Sequence, residues 1–185
     1  NFSSYFEGCT SLTNAKINIP SNVTRIDKLF ANCPNLTEIE FDAASDLSKV
    51  STISGLCMND TSLHKIVGLR LTNSNTTADN TTLVGCPIDT TDGLYINSNA
   101  AVNMFRMGED SRIVKFTDFE LGASCTNLNG AFKEYGSLIE DVYIPVHVTN
   151  VSQMFTNCIQ MTHAHSNWNN PYTNSGEEEI KNYLS

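Results

Sequence analysis

Val23-Thr24-Arg25-Ile26-Asp27-Lys28-Leu29-Phe30-Ala31-Asn32-Cys33-Pro34-Asn35-Leu36 decides how the chain of 185 residues is read. Ile26, Leu29, Phe30 and Cys33 fall at i, i+3, i+4 and i+7, one face of a short helix. Pro34 stops that helix, because its ring clashes with the preceding turn and it has no N–H to donate. In Thr37-Glu38-Ile39-Glu40-Phe41 the apolar Ile39 and Phe41 alternate with Glu38 and Glu40, the period of a half-buried strand. One unit therefore reads helix, stop, strand. It cannot bury its apolar side alone and needs copies of itself on either side.

Those copies are present. Phe30-x-x-Cys33-x-x-Leu36 returns as Phe6-x-x-Cys9-x-x-Leu12 and Phe155-x-x-Cys158-x-x-Met161. Phe132-x-x-Tyr135-x-x-Leu138 and Cys57-x-x-Asp60-x-x-Leu63 are substituted copies, and Leu83-x-x-Cys86 and Phe105-x-x-Gly108 are weaker ones. The anchors 6, 30, 57, 83, 105, 132 and 155 step by 24, 27, 26, 22, 27 and 23 residues, which marks a solenoid of about seven coils. A second signal, Val23-Thr24-x-Ile26 ahead of Phe30, recurs at Val50, Cys125 and Val148. Its hydroxyl residue is placed to cap the helix that follows. The expected strands carry Ile17 and Ile19, Ile39 and Phe41, Leu69 and Leu71, Leu94 and Ile96, Val114 and Phe116, and Val142 and Ile144. Asn73 to Thr82 has no apolar period and reads as a polar surface loop.

The run Ile19-Pro20-x-x-Val23-Thr24-x-Ile26-x-x-x-Phe30-x-x-Cys33-x-x-Leu36 resembles the BspA-like leucine-rich repeat. Val148 to Cys158 also resembles a related bacterial surface-protein repeat. The resemblance spans about residues 2–168. It implies an α/β solenoid whose leucine-rich-repeat coils pair a short parallel strand with a short helix. It also implies a surface or secreted binding protein of bacteria or protists, related repeats being found in phage structural proteins.

Residues 1–168 are thus expected to form the solenoid, and residues 169–185 a capping helix or the start of a following segment. Ile180, Tyr183 and Leu184 share a helical face after Glu177-Glu178-Glu179, and Trp168 is a natural lid on the last coil. The chain begins at Asn1 and reads as a processed or excised piece.

Net charge is −9, with 20 acidic against 11 basic residues. This disfavours nucleic acid, whose phosphates need a basic surface, and anionic membranes. No apolar run is long enough to insert in a bilayer. Cys9, Cys33, Cys86 and Cys158 share one coil position and Cys57 occupies a Phe place, favouring a ladder of buried thiols over a Cys9–Cys33 bridge. His163-Ala164-His165 could offer two metal ligands from one strand face but has no third donor nearby, so neither metal nor cofactor is expected. Gly-x-Ser-x-Gly and a Gly-rich phosphate loop are absent. Glu38 and Glu40 at i, i+2 on an exposed strand read as solvated carboxylates, not as an acid–nucleophile pair, and the chain is not expected to be an enzyme. Sequons at Asn1, Asn22, Asn35, Asn59, Asn75, Asn80 and Asn150 permit glycosylation only in a eukaryotic source.

Function is then expected on the outward strand positions, stacked into one broad face. The candidate ligand-binding residues are Glu38, Glu40, Arg70, Tyr95, Lys115, Asp141, Tyr143, His163 and His165. The expected partner is a protein or glycan on another surface, met extracellularly, at a cell surface or on a virion. The alternative is a structural component of a virion or surface layer, with self-assembly.

Overall fold

The computed structural model describes residues 1–105, 115–133, 143–157 and 165–166. They form a β-solenoid. Strands β1 (Asn14–Ile17), β2 (Glu38–Phe41), β3 (Lys65–Val67), β5 (Thr90–Asp92) and β7 (Lys115–Thr117) make a parallel sheet in chain order, so four turns of chain link its five strands. Strands β4 (Arg70–Leu71), β6 (Tyr95–Ile96) and β8 (Glu120–Leu121) form a second parallel sheet. Strands β9 (Tyr143–Ile144) and β10 (His165–Ser166) pair with each other. Residues 169–185 and Trp168, with the expected cap and lid, lie outside the described residues.

Ile26, Leu29, Phe30 and Cys33 are all fully buried, as their spacing requires. They are not on a helix. The amides of Ile26, Lys28, Phe30 and Asn32 donate to Thr52, Ser54, Leu56 and Met58 of the next coil, at 2.8–3.3 Å. Between them the Leu29 and Ala31 amides close tight turns on Ile26 and Lys28. Lys28 and Asn32 accordingly take left-handed backbone, φ 52° and 61°. A chain whose alternate amides point along the stack cannot also make a helix's own i→i−4 bonds. The same turn run recurs around Phe6, Cys57, Phe132 and Phe155. Among the described residues the one helix is α1 (Ala100–Met104), in a stretch rich in alanine.

The expected capping hydroxyls serve the stack as well. Ser51 Oγ and Thr149 Oγ1 donate to the carbonyls of Thr24 and Thr126 in the preceding coils, at 3.1 and 3.2 Å. Asn73 to Thr82 is not a free loop either. Thr76 is buried where Val23 and Val50 stand in earlier coils, and its hydroxyl donates to the Val50 carbonyl at 2.7 Å. A hydroxyl satisfied in this way can occupy an apolar column.

Along the core the anchors stack face to face: Phe6 on Phe30 (5.5 Å, 4°), Phe105 on Phe132 (4.9 Å, 27°) and Phe132 on Phe155 (5.7 Å, 16°). Cys57 and Leu83 fill the column between the two aromatic runs. Cys9, Cys33, Cys57, Cys86 and Cys125 are free thiols, so Cys9 and Cys33 are not bridged.

Candidate binding surface

Among the described residues the outward positions of β1 to β8 form two surfaces, not one. The register aligns Ile39 with Ile66 and Thr91 as the inward row of the first sheet. Leu69, Leu71, Leu94 and Ile96 therefore do not continue the Ile39–Phe41 row. Each follows a corner set by Gly68, Gly93 or Asp118, at φ 69°, 65° and 51°. The corner turns Arg70, Tyr95 and Glu120 onto the second sheet, away from Glu38 and Glu40.

On the first sheet one outward row is Asn14, Glu38, Lys65 and Thr90, with Lys115 the next residue in register, and the second is Lys16, Glu40, Val67, Asp92 and Thr117. Lys65 Nζ lies 3.1 Å from Glu38 Oε1, and Lys16 Nζ 2.6 Å from Glu40 Oε1 and 3.9 Å from Asp42 Oδ2. The hydrogen bond and charge of Glu40 hold the Lys16 ammonium above its ordinary pKa. Both glutamates are thus paired across the strands with lysines. These pairs are exposed and worth little: Lys65→Ala is expected to shift stability by less than about 0.5 kcal/mol in urea denaturation.

The second sheet differs. Arg70 Cζ sits 4.8 Å above the centre of the Tyr95 ring, and Arg70 Nη2 lies 3.9 Å from Glu120 Oε2 in the coil beyond. At the hydroxyl end of the ring is Gly122, where a Cβ would come within 2.4 Å of the Tyr95 hydroxyl and 2.3 Å of Asn97 Oδ1. Asn97 is itself fixed, donating to the Thr72 carbonyl at 3.0 Å and accepting the Ser124 N–H at 3.1 Å. Tyr95 is thus half-buried, with a cation over its ring and a bare glycine backbone beside its hydroxyl.

Of the remaining expected residues, Lys115 shares the Glu38 row, and Tyr143 and His165 are register partners in β9 and β10; their side chains are outside the described residues. Asp141 and His163 are wholly outside them. Among the described residues no three His, Cys, Asp or Glu side chains converge as a metal site would require. Sequence reasoning missed Glu120, in register with Tyr95, and Gly122 two residues on, whose only signal is that pairing of β6 with β8.

Asp27 is a further polar position, in line with Ser3 and Thr52 of the flanking coils. Its burial favours the neutral form, but hydrogen bonds from Thr52 and Arg25, the Arg25 charge and the Ser3 hydroxyl prevail, holding the carboxyl below its ordinary pKa.

Residues 2–90 match the family model of the BspA type leucine rich repeat region, in 6 copies. These residues are BspA-type leucine-rich repeats. The match ends at β5, so the second sheet begins inside the BspA-type region at β4 and continues beyond it through β6 and β8. No curated protein and no solved structure matches the chain. No helix among the described residues is long and apolar enough to cross a membrane.

Proposed function

We propose that the chain is a non-enzymatic recognition module, displayed outside the cell, that binds a protein or glycan on another surface through its strand faces. What carries this reading is the placement of Tyr95, with Arg70 over its ring, its hydroxyl against Gly122 and Glu120 in register with it. Arginine and tyrosine dominate interface energetics because each combines a large apolar contact with a polar edge. Fixing them before contact removes an ordering cost of about 0.5–1.5 kcal/mol for each side chain. The first sheet, where Glu38 and Glu40 pair with lysines across the strands, is the rim of such a site. The BspA-type repeats of residues 2–90 supply the regular scaffold that carries Arg70 and the first sheet's rows.

The test is binding of the wild-type chain, Tyr95→Ala and Gly122→Ala to glycan and cell-surface protein arrays. Tyr95→Ala is expected to lose at least about tenfold in affinity, the scale of a hot-spot residue, while its melting temperature stays close to wild type. Gly122→Ala keeps the tyrosine but drives it from its place, and should lose a comparable amount. Unchanged binding by both variants would sink the reading.

A further inference from the structure

Asp60 stands in the coil position that Cys9, Cys33 and Cys86 hold in neighbouring coils, and its side chain is fully buried. Its Oδ1 accepts the Cys33 N–H at 2.7 Å, while Oδ2 is buried with no hydrogen-bond partner among the described residues. The titratable groups around it are thiols: Cys33 from the coil before, Cys57 from its own and Cys86 from the coil after. Cys33 Sγ donates to the Phe6 carbonyl at 3.1 Å and Cys86 Sγ to the Cys57 carbonyl at 2.7 Å, so these protons are already committed to backbone. Burial pushes Cys33 up to about 11 and Cys86 up to about 12, which keeps both neutral. Among the described residues no lysine, arginine or histidine pairs with Asp60. A carboxylate with one donor and no counter-charge is badly solvated here, whereas a neutral acid is not.

We propose that Asp60 is carried in the folded chain as an un-ionised carboxylic acid, and that its ionisation is a switch built into the stack. With the proton on, the coils of Cys33, Asp60 and Cys86 close over an uncharged column. With the proton off, the seam holds a bare charge and loosens, uncovering Cys33, Cys57 and Cys86 together. Desolvation raises the Asp60 carboxyl to about 7, from an ordinary value of 3.8. Between those values the folded chain keeps a proton that the unfolded chain has released. The stabilisation is therefore complete below about pH 4 and is lost as pH rises through about 7. Asp46 and Asp79 are lowered, as Asp27 is, and act in the opposite sense at acid pH only.

The experiment compares urea unfolding of the full chain from pH 5 to 8 with that of Asp60→Asn and Asp60→Cys. Relative to Asp60→Asn, the wild-type unfolding constant should rise by about tenfold per pH unit up to about pH 7 and then level off. Asp60→Cys restores the thiol column and should resist unfolding better than wild type at pH 8. Should Asp60→Asn fail to fold, Asp60→Cys supplies the same reference. Infrared difference spectra, wild type minus Asp60→Asn, should carry the carbonyl band of a protonated acid at about pH 6 and lose it above about pH 8. Parallel pH profiles for wild type and variants, or no such difference band at about pH 6, would overturn the proposal.

Discussion

Phe30→Ala is expected to lower stability by about 3–5 kcal/mol, read as an earlier midpoint in urea followed by circular dichroism. The ring is fully buried and lies nearly parallel to Phe6, 5.5 Å away. Its own amide is one of the bonds joining its coil to the next, donating to Leu56 at 2.9 Å. Alanine leaves a hole between two coils whose backbones are pinned to each other, so collapse into the space is restricted and the cavity term stays large. Phe6 provides the contrast. It has the same place in the repeat, but it belongs to the first coil and is only half-buried. Phe6→Ala should therefore cost clearly less, and equal losses for the two would contradict the stacked column. Tyr5, more exposed still at 68 %, occupies the position of the fully buried Leu29 and should tolerate alanine with little change.

That contrast also shows what was legible in the residues. The inward rows were: Phe30, Cys33 and Leu36 with their repeats name the core because burial depends on which side chain faces in. The conformation between them was not. A helical face and a run of tight turns both place Ile26, Leu29, Phe30 and Cys33 on one side. What separates them is left-handed backbone four residues apart, and its trace is Gly8, Asn32, Asn59, Gly85 and Asn157 two places after the anchors. Glycine and asparagine are the residues that adopt such backbone most readily. The binding surface was legible in part. Glu38 and Glu40 face outward as their alternation demands, yet their lysine partners come from other coils. Arg70 and Tyr95 were named, but their sheet follows from one corner, and Glu120 and Gly122 depend on a register that spacing alone does not fix.

That corner makes the second large expected effect. At Gly68 φ is 69°, and a Cβ there would stand 2.6 Å from the Phe41 carbonyl oxygen of the preceding coil. The obstacle is backbone, tied into the ladder, and cannot swing aside as a side chain could. Gly68→Ala therefore carries the left-handed penalty of about 1–2 kcal/mol and an overpacking cost of about 1–3 kcal/mol. Gly93 separates the two contributions. It makes the same corner one coil later at φ 65°, but its nearest neighbours, Gly68 Cα and N, are 3.8 Å from a Cβ, an ordinary contact. Gly93→Ala should lose only the left-handed part, and urea midpoints for the two variants should differ accordingly. Asp118 already shows that a non-glycine residue is accepted at this corner in the following coil. Because β3 and β4 meet at Gly68, its alanine variant should also disturb Arg70 and weaken binding through Tyr95, whereas Gly93→Ala, despite standing two residues from Tyr95, should leave the Arg70–Tyr95 contact in place. Equal losses of stability at Gly68 and Gly93 would mean that the approach to Phe41 is not what holds the two sheets at their angle.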